Sequence, residues 1–197
     1  DREIQGCTDN AEQIAFRRGA IEAWLLENHI SLDDLSAVVI RSSGAGLCKK
    51  GGTYLVTGKL RDGMYAAYRG SFPKAPHPSF IVLPLADEIL GSRPIPIYIV
   101  DPDGVDEFQD VAYITGHPDL PRSSGFHVLN HKAIARKASR DLGKRYEDAD
   151  LVVAHMGGGI SIAAHRHGLV VDSTSGGSAG EGPFGTNRTC LLYTSDA

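Results

Sequence analysis

Cysteine is scarce in this sequence: Cys7, Cys48 and Cys190 are an odd number at wide, patternless spacing. They make neither a disulfide framework nor a zinc knuckle, and a reducing cytoplasm is the expected compartment. No apolar run approaches the roughly 18 residues that cross a bilayer as a helix, so no membrane partner is expected. A basic excess is missing too. Twenty Lys and Arg against 24 Asp and Glu leave a net charge of −4, which argues against a bulk nucleic-acid binder while leaving room for a local cationic pocket. The chain opens at Asp1 with neither an initiator methionine nor a signal-peptide pattern, and it is expected to be a fragment. What is present is globular in kind: 42% hydrophobic and 22% charged residues, with 23 Gly and 10 Pro. A chain this long buries about 70% of its unfolded surface and needs no staple.

The spacing of Ile14, Ile21, Trp24 and Leu25 predicts a helix over residues 10–28 with that stripe inward. Ala37-Val-Val-Ile-Arg41 reads as a buried strand that delivers Arg41 into the small-residue loop Ser42-Ser-Gly-Ala-Gly46. A helix is expected over 79–90, shortened or kinked at Pro84. A second buried strand over 95–100 ends on Asp101. Residues 130–146 read as helix with Ile134, Ala135, Ala138 and Leu142 on one stripe. Leu151-Val-Val-Ala-His155 is read as a third buried strand, and residues 160–164 and 169–171 continue from it as a hairpin turning near Gly168. Three strands that end on Arg41, Asp101 and His155 suit an α/β fold, whose ligand crevice lies beyond the carboxyl ends of its strands.

The loop His155-Met-Gly-Gly-Gly-Ile-Ser161 is the strongest local signal. Consecutive glycines let backbone N–H groups approach an anion, and Ser161 adds a hydroxyl. No Gly-Lys-Ser/Thr follows, so it is no Walker loop, and a strand rather than a helix follows, so it is no Rossmann fingerprint. A hairpin built only to turn is the alternative. Arg41 suits a carboxylate or phosphate, or a surface ion pair. Asp101 opens Asp-Pro-Asp-Gly104, either a turn or a phosphoryl-transfer carboxylate. His127 and His131, four apart, would share a helical face; without a third ligand, hydrogen bonding to a phosphoryl group fits better than zinc. His77, between Pro76 and Pro78, lines or caps a pocket. His165 and His167 flank the hairpin turn and are expected in solvent. This set suits phosphoryl transfer, in which a protein mainly positions groups and neutralises charge.

The motifs Gly51-Gly-Thr-Tyr54, Ile99-Val-Asp-Pro102, Ile114-Thr-Gly-His-Pro118, FHVLNHKAIAR over 126–136, VAHMGGGIS over 153–161 and Gly180-Glu-Gly-Pro-Phe184 resemble the butyrate kinase branch of the acetate kinase family. That family lies within the actin–hexokinase–sugar kinase superfamily. The resemblance runs from about Ala15 to Arg188 and implies a ribonuclease H-like, actin-like ATPase fold of two domains with ATP between them. The implied boundaries are a first domain over 1–149, lacking its opening strands, and the start of a second over 150–197. The implied reaction is ATP and butyrate giving ADP and butyryl phosphate with Mg2+; isobutyrate, propionate or acetate are alternative acceptors, and a non-catalytic nucleotide-binding module is the rival from another class.

Carried over by the same resemblance, Arg41 and Arg188 flank the carboxylate and the transferring phosphoryl group. Asp101 is the carboxylate near magnesium, His127 stabilises the in-line transition state, Phe126 walls the acyl pocket and His77 lies near phosphate. His155, Gly157, Gly158, Gly159 and Ser161 form the second phosphate loop; Gly158, where acetate kinases carry Asn, favours the butyrate branch. A homo-oligomer is expected when full length. The family's first strand and Asn-Pro-Gly-Ser loop are not in this sequence, nor is the adenosine loop, so the fragment itself is expected to be inactive. Residues 190–197, which depart from the family pattern, are expected to be non-native.

Overall fold

A computed structural model describes residues 6–7, 9–71, 78–114, 119, 122–157 and 159–174. His77, Gly158, Arg188 and the 190–197 segment lie outside the described residues. The chain forms two compact units: residues 1–47 with 53–100, and residues 48–52 with 101–197. Residues 149 and 150, where the sequence reading divides two domains, both fall in the second unit.

The first unit carries helix α1 (Asn10–Glu27), strand β1 (Val38–Ile40), strand β2 (Thr53–Leu55), helix α2 (Gly58–Gly70), helix α3 (Val82–Leu90) and strand β3 (Ile97–Val100). The Asp9 carboxylate caps α1 by accepting the Glu12 N–H at 2.9 Å, satisfying one of the helix's orphan donors. β3 is central in the sheet, parallel to β1 and antiparallel to β2. Ile97 and Ile99 point from it into a core with Ile40, Val56, Met64, Leu83 and Leu90. Parallel pairing of β1 with β3, Ile40 opposite Ile99, sets their carboxyl ends at one edge of the sheet.

Two expectations change here, and a third is decided. The α1 stripe is mostly outside: Ile14 is buried, whereas Ile21 and Trp24 are exposed. β1 is half-buried rather than buried, with Val39 facing out. Of the two alternatives at Pro84, the helix is shorter and not kinked: α3 starts at Val82 after a short 3-10 turn (Pro78–Phe80), placing Pro84 in the first turn, where a missing N–H costs nothing.

The second unit contains helix α4 (Val128–Asp141) and the antiparallel meander β4 (Leu151–Met156), β5 (Ile160–Arg166) and β6 (Leu169–Ser173). β5 and β6 turn through His167 and Gly168, both at positive φ (52° and 75°), the geometry of the tight hairpin turn whose twist matches its strands. One core joins Val105, Phe108, Phe126, Val128, Ala163 and Val170; a smaller one joins Ala135, Tyr146 and Val153.

α4 departs most from its pattern. Its buried face is Val128, His131, Lys132, Ala135 and Ser139, while Ile134 and Leu142 are exposed. Glu107 is the reason Lys132 can be inside. The Lys132 ammonium lies 2.8 Å from Glu107 Oε2, with side chains 2% and 1% exposed, and donates to the Gly168 carbonyl at 3.2 Å. Glu107 Oε1 accepts the Gly51 N–H at 2.6 Å and Oε2 the Val170 N–H at 2.9 Å. A buried charge persists only when paired and hydrogen-bonded in this way. A Cβ at Gly51 would lie 2.3 Å from Lys132 Cε, so a side chain there has to displace the buried end of Lys132.

Candidate active site

His127 stands at the N-cap of α4, and His131 follows one turn later on the inward face. The β4–β5 hairpin brings Ser161 beneath both: its Oγ lies 2.7 Å from His127 Nδ1 and 2.8 Å from His131 Nε2, and accepts the His127 backbone N–H at 3.4 Å. His155, on β4, stacks on His127 with centroids 3.8 Å apart and planes 12° from parallel. The Asn130 side-chain amide lies 2.8 Å from His155 Nδ1. Both outer ring edges face the glycine loop. A Cβ at Gly159 would sit 3.2 Å from His127 Nε2, and one at Gly157 would sit 3.4 Å from His155 Nε2. At Gly159 glycine leaves room beside the His127 ring, whereas at Gly157 a methyl would make only ordinary contact with His155.

The loop is also a tight turn: the Gly157 N–H closes onto the Gly159 carbonyl at 3.0 Å, with Met156 and Ile160 paired across its base. That N–H is therefore committed inside the hairpin, and the polar atoms facing the Gly159 side of the loop include the His127 ring edge. A turn and a ligand-facing surface coexist here.

Behind the site the polar chain continues. His131 stacks on His165 at 5.7 Å, and Tyr146 Oη lies 2.7 Å from His165 Nδ1. His165, expected in solvent, is 2% exposed; His167 alone of that pair is at the surface. Burial first, then the charges of His127 and His155, pushes the His131 pKa down to about 4. Burial, followed by His131 and Lys132, does the same to His165, also to about 4. Both rings are neutral at pH 7 and serve as hydrogen-bonding and packing groups.

Asp101 is buried, 1% exposed, with φ at +41°, a conformation a non-glycine residue holds only when its surroundings fix it. Its carboxylate is fixed on both sides. Oδ1 accepts the Gly52 N–H at 2.8 Å and an Arg136 N–H at 3.1 Å, and Oδ2 accepts a second Arg136 N–H at 2.5 Å. The fork-on-fork geometry is the strong form of this pair. Arg136 was absent from the sequence candidates; it lies about two and a half turns after His127 on the same helix. Phe126 is buried, stacking with Phe108 at 6.4 Å and meeting the His131 ring edge-on at 5.6 Å. The second unit thus gathers Asp101, Phe126, His127, His155, Gly157, Gly159 and Ser161. Arg41, exposed just after β1, belongs to the first unit.

The fold is similar to those of solved acetate and propionate kinases. It is similar to the acetate kinase of Porphyromonas gingivalis, with a TM-score of 0.59 and 21% identity over 74% of this chain and 37% of that one. It is also similar to a propionate kinase of Francisella tularensis, with a TM-score of 0.58 and 19% identity over 80% of this chain and 41% of that one. Residues 117–188 match the Acetokinase family model, and the chain as a whole is similar to curated butyrate kinases. It is 39% identical over 189 residues to Butyrate kinase 1 of Clostridium acetobutylicum, covering 95% of this chain and 51% of that protein. The chain spans about half the length of the curated relatives it matches. Among the described residues no helix is long and apolar enough to cross a membrane.

Proposed function

We propose that the protein is an ATP-dependent carboxylate kinase, transferring the terminal phosphoryl group of ATP directly to butyrate to give ADP and butyryl phosphate. The observation that carries this reading is the pair of stacked imidazoles, His127 and His155, set edge-on to Gly159 and Gly157. In-line transfer passes through a transition state with charge on three equatorial oxygens, so a protein contributes mainly fixed donors and position. In this reading His127 donates to an equatorial oxygen. His155, Gly157, Gly158 and Gly159 hold the phosphates of ATP or ADP, buried Ser161 stands behind them against the His127 and His131 rings, and Arg41 and Arg188 bracket the acceptor carboxylate. Phe126 backs the acyl site from the core side, and His77 lies near phosphate.

Asp101 is the carboxylate turned to Mg2+. Among the described residues no group of three or more His, Cys, Asp or Glu is arranged to hold a metal. Oδ2 of Asp101 has one hydrogen bond from Arg136, so a lone-pair direction is left for a single ligand bond. Magnesium taken up with a nucleotide uses one or two carboxylates, with phosphate oxygens and water completing its shell, and Asp101 fits that use. Such an ion supplies charge neutralisation on the phosphates. The reading extends to a cytoplasmic homo-oligomer acting on soluble substrates without nucleic acid or membrane partners, its two domains dividing at residues 149 and 150.

The test is acyl phosphate formation by the intact protein, trapped as hydroxamate, with ATP and each of acetate, propionate, butyrate and isobutyrate. The highest kcat/KM is expected with butyrate. A higher value for another acid reassigns the acceptor. No product with any acid, alongside retained nucleotide binding, overturns the enzyme reading in favour of a binding module.

A further inference from the structure

Ser161 Oγ is fully buried and has one proton and two lone pairs, yet three nitrogens surround it: the His127 backbone N–H at 3.4 Å, His127 Nδ1 at 2.7 Å and His131 Nε2 at 2.8 Å. The backbone N–H can only donate, so it takes one lone pair. One lone pair and one proton remain for the two rings. Exactly one ring must therefore present N–H to the hydroxyl, and the other a bare nitrogen.

The two solutions are not equivalent. If His127 Nδ1–H donates, the hydroxyl turns to His131 Nε2 and the His131 proton moves to Nδ1. That nitrogen is buried and has no hydrogen-bond partner among the described residues. An orphaned buried N–H is rarer and costlier than an unused acceptor. In the other solution His131 Nε2–H donates to Ser161, Ser161 O–H donates to His127 Nδ1, and the unpartnered His131 Nδ1 is only a bare acceptor. The His127 proton then sits on Nε2, the edge that faces Gly159.

We infer that His131 and Ser161 form a relay that fixes His127 as the Nε2–H tautomer, making them positioning residues for that imidazole. The inference rests on the proposed role of His127 for its consequence in catalysis, but not for the tautomer itself. The neutrality of buried His131 agrees with a relay that passes orientation rather than charge. A functional imidazole whose second nitrogen is held in this way keeps one fixed donor direction.

The test is carried out on the intact protein labelled with 15N-histidine, reading ring tautomers by long-range 1H–15N correlation and turnover in parallel. His127 is expected as Nε2–H in the unaltered protein and as a mixture in Ser161→Ala, with kcat about 10-fold lower and KM for the acid changed less than about twofold. His131→Gln keeps an amide N–H aimed at Ser161 and is expected to hold the tautomer, with a smaller loss in kcat than His131→Leu, which removes the donor. This second pair decides the matter if Ser161→Ala does not fold. His127 remaining wholly Nε2–H in both Ser161→Ala and His131→Leu, or appearing as Nδ1–H in the unaltered protein, overturns the relay. Unchanged kcat in His127→Ala overturns the proposed role of His127 instead, and leaves the tautomer result standing by itself.

Discussion

Acidification from pH 7 to pH 5 should weaken the second unit, because His131 and His165 must fold without their protons. Their native pKa values are pushed down to about 4 from an ordinary 6.5. The unfolded chain therefore binds more protons than the native one through this window, and stability rises with pH. The contribution is intact above pH 6.5 and declines as pH falls from there towards 4. At pH 5 an unfolded imidazole is almost fully charged while the native ring is about nine-tenths neutral, a cost of about 2 kcal/mol per ring relative to pH 7. The rings stack at 5.7 Å, so they titrate as a pair, and about 3 to 4 kcal/mol together is the expectation.

Urea titration followed by far-ultraviolet circular dichroism at the two pH values measures this loss. With a slope of about 2 kcal/mol per molar urea, the midpoint should fall by about 1.5 to 2 M. A variant carrying His131→Gln and His165→Gln should be less stable at pH 7 and lose most of the pH dependence. Identical midpoints at both pH values, or undiminished pH dependence in the double variant, would refute the reasoning.

Three further outcomes follow from packing and charge. Lys132→Met strands Glu107 as an uncompensated buried carboxylate and should cost about 3 kcal/mol or more by urea denaturation, whereas Lys132→Met with Glu107→Gln should recover part of it. Gly51→Ala, whose Cβ would meet Lys132 Cε at 2.3 Å, should cost about 1 to 3 kcal/mol by the same measurement. Arg136→Ala removes both guanidinium bonds from buried Asp101 and should lower kcat at least about 10-fold in the hydroxamate assay; Arg136→Lys, a point charge without the fork, should recover only part.

Much of the architecture was legible from pattern. The end of α1, the strands before Arg41 and Asp101, and the hairpin across Gly168 follow from apolar runs and turn residues whose physics is local. The interior of α4 was not legible, for a specific reason. Periodicity sends apolar side chains inward, so Ile134 and Leu142 were read as core while Lys132 and His131 were not. In the structure Glu107, Ser161 and the Gly168 carbonyl, all remote in sequence, supply the partners that make the polar face the buried one. His165 was misplaced likewise, since its partner Tyr146 lies 19 residues earlier, in the 3-10 turn ahead of β4. Arg136 escaped because a basic residue on a helix is read as solvated until the carboxylate it grips is known. The candidate loop and its serine were visible from glycine spacing alone; the neighbours that orient them were not.

The clasp at Gly52 and Asp101 has a consequence for how the chain is assembled. The Asp101 N–H donates to the Gly52 carbonyl at 2.8 Å while the Gly52 N–H donates back to the Asp101 carboxylate at 2.8 Å. Residues 53–100 are thus an insertion whose two ends are buttoned together by a reciprocal pair. Closing a loop of that length costs about 3.5 kcal/mol of chain entropy, and the cost grows only slowly with length. The 48–52 strand of chain is synthesised early but belongs to a unit whose remainder is synthesised about fifty residues later, so it must wait for partners. A ribosome making this protein releases the first unit's sequence before the second can close around its own beginning.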